Sequence, residues 1–357
     1  MKMNQVIMWI MAFGVLLGGI DRILGNPRGY GKKFEEGFML LGPTALSMAG
    51  MICLAPVLVS VFEWAVSPFF HLIGVDPAMI GGILAIDMGG YQLACGLADD
   101  PGMGQYAGII IAAIFGCTIV FTIPVGMGII EKEDKPLFAR GILIGLMTMP
   151  VAFVAGGMVC KMTILHVLHQ TLPILFLSVL LMVGLWKIPD QMVRGFTVFA
   201  SGIQIVITIG LMLAAFTYMT GMEILPGMAP MEEAMRVVAS IGIVLLGSLP
   251  IAELFMRVLH GPLVWMGKKT GMNHVSMAGL LIGLISVLPA LSMMKEMDKK
   301  GKVVTAAWFV SATSMLAAHL GFTVSEAPDM LSALFAAKLA GAAAAAATAL
   351  IWDMKKQ

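Results

Sequence analysis

Eleven apolar stretches, parted by short clusters of charge, glycine or proline, constrain this 357-residue chain to a bundle of membrane helices. They run over 4–21, 37–62, 78–98, 106–130, 137–160, 164–186, 195–220, 234–258, 274–296, 303–323 and 331–352. Only 12% of residues are charged, where a soluble domain carries about 25%. Crossings of ~20 residues use nearly the whole length, so no soluble catalytic domain fits. The net charge of +1 says nothing about nucleic acid, but no basic block resembles a groove-tracking patch, so nucleic acid is not an expected partner. The apolar run from Val6 to Ile20 has no Ala-x-Ala site and reads as a first transmembrane helix, not a cleaved signal. The four cysteines lie in apolar segments without a Cys-x-x-Cys pair, which fits packing, and the 33 methionines read as lipid-facing and core filler.

Two stretches carry interruptions. Segment 78–98 breaks at Asp87-Met88-Gly89-Gly90, and segment 274–296 breaks between Ser286 and Pro289. A constant offset of 197 places Glu35-Glu36 on Glu232-Glu233, Gly82 on Gly279, Gly104 on Gly301 and Leu137-Phe138-Ala139 on Leu334-Phe335-Ala336. Pro56/Pro250 and Pro68/Pro262 match at 194, so a three-residue gap falls inside that stretch. The two broken segments coincide under the offset of 197.

Positive charge tests the topology. With both broken segments re-entrant and the N-terminus outside, 18 of the 22 Lys and Arg fall inside; with eleven full crossings the split is 12 to 10. The expectation is therefore an all-α polytopic membrane protein of about nine transmembrane helices plus two re-entrant hairpins. Residues 1–160 and 195–357 form inverted five-segment repeats, and 161–194 supply a connecting transmembrane helix. The N-terminus lies outside and the C-terminus inside.

Asp87 leads the candidate site. A carboxylate in hydrocarbon costs about 2.5–3.5 kcal/mol or more, so it faces a cavity, a partner or a substrate. Its structural alternative is a cap on a neighbouring helix N-terminus or a pair with a buried cation, but no other segment offers a deep Lys or Arg partner. Gly89 and Gly90 suit a hairpin tip with free backbone groups, or close packing. Tyr91 and Gln92 line a site or satisfy the hairpin backbone. Opposite them stands Ser286, as a hydroxyl donor or bonded back to its own helix. Ser311 and Ser314 share a helix face at i and i+3. His319 reads either as a site residue or as a structural one near a helix end.

Other signals point away from catalysis. Glu253 and Arg257 have the spacing of a helical ion pair. His166 and His169 lack a third ligand, so neither metal nor cofactor is expected. Gly261 to Thr270 imitates a phosphate loop but has one residue too many before Gly267, and Lys269 stands where Ser or Thr is required. Neither a His-Glu-x-x-His nor a Gly-x-Ser-Gly occurs, so the chain does not read as an enzyme. Gly14-x-x-x-Gly18, Gly141-x-x-x-Gly145 and Gly279-x-x-x-Gly283 permit close helix contact, within the chain or in a homo-oligomer.

Several stretches together resemble the ethanolamine-utilisation permease family. They are Asp21-Arg22-Ile23-Leu24, Phe34-Glu35-Glu36-Gly37-Phe38, Leu54-Ala55-Pro56-Val57-Leu58, Asp87-Met88-Gly89-Gly90 and Thr118-Ile119-Val120-Phe121 with Ile123-Pro124-Val125. Met293-Met294-Lys295-Glu296-Met297-Asp298, Gly301-Lys302-Val303 and His319-Leu320-Gly321-Phe322 complete them. The resemblance implies a protein of the bacterial cytoplasmic membrane that admits ethanolamine, a small ammonium with a hydroxyl two carbons away. Asp87 would pair with the ammonium, and Ser286 or a hydroxyl of 303–323 would take the OH. The chain departs from the family pattern where paired asparagines before Ile-Pro give way to Ser286-Val287 before Leu288-Pro289. It departs again at Ala318, which replaces an Asp before the His. The second half of the site is thus less polar than the pattern implies.

Overall fold

The computed structural model describes residues 3–84 and 88–354, and every regular element among them is helical. That follows from the composition: with lipid as solvent, a helix is the element that satisfies its own backbone within one segment. The order begins with α1 (Met3–Ile23), α2 (Tyr30–Met39), α3 (Leu41–Ala65) and α4 (Ser67–Leu72). The short α5 (Met79–Leu84) and α6 (Tyr91–Leu97) flank a turn at 88–90. From α7 (Pro101–Gln105) the chain runs π-helically through Tyr106–Gly116 and Thr118–Thr122 into α8 (Ile123–Ile129). Next come α9 (Lys135–Val159), α10 (Ile164–Gln170), α11 (Leu172–Lys187), α12 (Pro189–Thr220) and α13 (Met231–Thr270). A second short pair, α14 (His274–Ile285) and α15 (Val287–Ser292), flanks Ser286. Finally α16 (Lys299–Ala312) and α17 (Ala318–Glu326) flank a turn at 313–317, and α18 (Leu331–Met354) closes the chain.

Seven helical stretches among the described residues are long and apolar enough to cross a membrane, or eight if α10 and α11 make one span. Two of the nine expected crossings are broken in the structure. The connecting segment 164–186 is bent by 61° between α10 and α11, where Pro173 opens the second helix and removes a main-chain donor. Segment 303–323 is two helices of 14 and 9 residues, each too short to cross alone.

Packing divides the helices into two groups. In one, α1, α2, α3, α12 and α13 lie together. Gly14 of α1 sits against the Gly247 carbonyl of α13, and Gly210 of α12 sits against the Gly50 carbonyl of α3; a Cβ at any of the four would strike main chain. In the other, α9, α16 and α18 pack on one another and on the π-helical stretch. Gly141 and Gly145 of α9 rest on α16 at Val303 and Ala307, and Ala342 and Ala345 of α18 are fully buried. The small-residue motifs thus serve packing within the chain. The expected Glu253–Arg257 pair forms at 2.8 Å, and Arg257 also donates to the Arg28 carbonyl at 2.7 Å.

Candidate functional site

The breaks in the helices gather the polar groups. At the first, Met88, Gly89 and Gly90 are buried, and Gly90 opens α6 with an ordinary φ of −82°. Asp87, the leading candidate, lies outside the described residues. Tyr91 and Gln92 follow on the first turn of α6. The Tyr91 ring meets Phe322 edge-on at 5.5 Å, and its hydroxyl donates to the Glu326 carbonyl at 3.4 Å. Gln92 Nε2 donates to Glu326 Oε2, also at 3.4 Å, while its Oε1 is buried with no hydrogen-bond partner among the described residues. The Glu326 carboxylate accepts from Ser325 Oγ at 2.9 Å on Oε1 and only the long Gln92 bond on Oε2, so Oε2 keeps acceptor capacity. The sequence reading missed this residue, which follows segment 303–323 as drawn. A carboxylate beside an aromatic pair and an amide oxygen is a set of groups that holds a small ammonium.

α17 joins this cluster to the second break. His319, Phe322 and Glu326 recur on one face at helical spacing. His319 is fully buried, and its N–H donates to the Ser314 carbonyl at 3.2 Å. Ser286 ends α14 in an extended conformation and is half-buried. The carbonyls just before it are taken by the opposite break: Ser314 N–H donates to Gly283 at 3.2 Å, and Leu316 N–H donates to Leu284 at 2.8 Å. Ser314 sits at φ +55°, in the left-handed region. Ser311 and Ser314 therefore do not share a helix face, because α16 ends at Ala312 between them. Ser311 remains a buried residue whose hydroxyl has no partner among the described residues.

A second correction concerns buried cations. Lys338, the eighth of the 24 residues of α18, is fully buried. Its Nζ donates to the carbonyls of Ala113 at 3.0 Å, Ser311 at 3.1 Å and Thr313 at 2.9 Å. The π-helical stretch and the α16–α17 break meet here, since Thr118 Oγ1 also donates to the Val310 carbonyl at 3.2 Å. The membrane-embedded part of the chain does carry a deep lysine.

Carboxylates hold the bases of both short helix pairs. Asp76 accepts from the N–H of Ala78 at 2.8 Å and of Asp100 at 3.1 Å, tying the entry of α5 to the exit of α6. Burial raises its carboxyl above the ordinary range, against those N–H donors and helped by the charge of Asp99. Asp298 accepts from Asn273 N–H at 2.8 Å, Ser276 Oγ at 2.7 Å and Gly301 N–H at 3.0 Å. Burial opposes its ionisation too, but these donors outweigh it and hold the carboxyl below the ordinary range. Among the described residues no cluster of His, Cys, Asp and Glu could hold a metal ion.

Comparison with known proteins covers nearly the whole chain. The family model described as "Ethanolamine utilisation protein, EutH" matches residues 3–352. The protein named "Probable ethanolamine permease EutH" of Listeria monocytogenes is 42% identical over 351 residues, 98% of this chain and 94% of its own. Its namesake in Escherichia coli K12 is 36% identical over 390 aligned positions, 98% of this chain and 96% of its own. The Bacillus subtilis protein YxeR, named as uncharacterized, is 39% identical over 350 residues, 98% of this chain and 95% of its own. No solved structure matches.

Proposed function

Because the chain belongs to the ethanolamine utilisation protein EutH family, we propose that it is a permease admitting ethanolamine across the bacterial cytoplasmic membrane. The observation that carries the reading is the full-length match to relatives named as probable ethanolamine permeases. The cluster of Tyr91, Gln92, Phe322 and Glu326 supports it, because a small alkylammonium needs a carboxylate and an aromatic face. In this reading Asp87 takes the ammonium at the tip, with Gly89 and Gly90 freeing backbone groups beside it. Ser286, Ser311, Ser314 and His319 stand on the side that meets the hydroxyl. In this reading transport is facilitated and is not coupled to an ion gradient.

The architecture in this proposal is an inverted repeat, 1–160 and 195–357, around the connecting segment 161–194. The pairs α5–α6 and α14–α15 are its re-entrant hairpins, and the N-terminus lies outside. Three correspondences support it. The glycine crossings Gly14–Gly247 and Gly210–Gly50 exchange partners under an offset of 196 to 197. Asp76 and Asn273, which open the two hairpins, are 197 apart. The interruption of the π-helical run at Cys117 and the α16–α17 break at 313–317 also fall on each other. Such repeats, with broken helices meeting near the midplane, are a recurring transporter plan.

The test is labelled ethanolamine uptake into proteoliposomes of the purified protein. The proposal expects saturable uptake above that of protein-free vesicles. Uptake no faster than in protein-free vesicles would refute it.

A further inference from the structure

Lys338 is a fully buried charge that the substrate reading leaves unused. It projects from an otherwise small and apolar stretch of α18, Leu334 to Ala347, where any aliphatic residue would sit at lower cost. Burying an ammonium is expensive unless its donors are satisfied. Here the main-chain oxygens of Ala113, Ser311 and Thr313 lie 2.9–3.1 Å away and accept from the Lys338 ammonium.

The origin of those oxygens matters more than their number. Ala113 lies in the π-helical stretch, while Ser311 and Thr313 bracket the end of α16. The lysine thus bridges the irregular points of two segments that are far apart in sequence. A lysine that only capped one helix would need one of them. Unwound main-chain carbonyls at the middle of broken helices are the groups with which secondary transporters coordinate Na⁺.

We propose that these carbonyls form a slot for a monovalent cation and that the chain's own Lys338 ammonium is its permanent occupant. The inference rests on the transport reading above and deepens it. A tethered cation stabilises the junction as a bound Na⁺ would, but it cannot leave with the substrate. Uptake then draws nothing from a Na⁺ gradient through this slot.

The experiment compares wild type with Lys338→Ala and Lys338→Gln, in NaCl and in N-methylglucamine chloride of equal ionic strength. Wild-type ethanolamine uptake should be the same in both salts. Lys338→Ala should lose roughly tenfold or more in N-methylglucamine and recover in Na⁺. Wild-type uptake that requires Na⁺, or Lys338→Ala uptake that is unimpaired in N-methylglucamine, overturns the proposal. Thermal unfolding in detergent serves if the variants do not transport. Na⁺ should raise the melting point of Lys338→Ala and Lys338→Gln but not of wild type, since a ligand stabilises only the state with a vacant site. Melting points indifferent to Na⁺ in both variants overturn it. Absence of wild-type uptake in either salt would defeat the transport reading instead, and the melting comparison would still decide the slot.

Discussion

The two short helix pairs have the same plan and present different chemistry. At α5–α6, side chains dominate: Tyr91 and Gln92 reach across to Glu326, and Phe322 stacks edge-on beside them. At α14–α15, main chain dominates: the Gly283 and Leu284 carbonyls are spent on Ser314 and Leu316, and Ser286 is the polar side chain at the break. Under the proposed inverted repeat, two matching helix pairs thus carry different polar groups. In the proposed permease the first pair would read charge, while the second bonds the α16–α17 break through Gly283 and Leu284.

The largest effect expected from this contrast is at the first tip. Asp87→Asn keeps the shape and removes the charge, and uptake kcat/KM should fall about 100-fold, the worth of a desolvated charge-assisted pair. Retained uptake in that variant would place the ammonium elsewhere. Next, Glu326→Gln should raise KM about tenfold with kcat little changed, whereas Ser286→Ala should alter either constant by less than about threefold. A reversed order in the kinetics of these two variants would make the second pair the selective one.

Much of this was legible in the sequence, and the gaps have physical reasons. Glycines and Asp87 marked the first break, and Pro289 marked the second, because these residues punctuate helices locally. The Glu253–Arg257 pair was equally local. The break at 313–317 has no such mark: it lies in Ala312-Thr313-Ser314-Met315-Leu316-Ala317, and what opens it is the bonding of Ser314 and Leu316 to α14. Lys338 resembles a charge near a membrane surface until its partners at Ala113, Ser311 and Thr313 are brought to it by folding. Glu326 likewise gains meaning only from Tyr91 and Gln92, more than 230 positions away.

The smallest effect separates the bases of the two pairs by pH. Asp298 has a depressed carboxyl, so its stabilising bonds are present above the ordinary value of 3.8 and are lost as pH falls through its lower native value. Asp76 has a raised carboxyl, so its ionised form costs stability, and that cost fades as pH falls towards and below its raised native value. Melting curves against pH should show wild type losing ground to Asp298→Asn on acidification and gaining ground on Asp76→Asn. Parallel curves for the two variants would erase the distinction between the bases.

The central claim is that the molecule reads the ammonium, at the first pair, more strongly than the hydroxyl. The most direct test is competition against labelled ethanolamine uptake in proteoliposomes by ethylammonium, which lacks the hydroxyl, and by ethylene glycol, which lacks the ammonium. The account predicts that ethylammonium inhibits at concentrations near those of unlabelled ethanolamine while ethylene glycol does not inhibit. Inhibition by ethylene glycol with none by ethylammonium would contradict it.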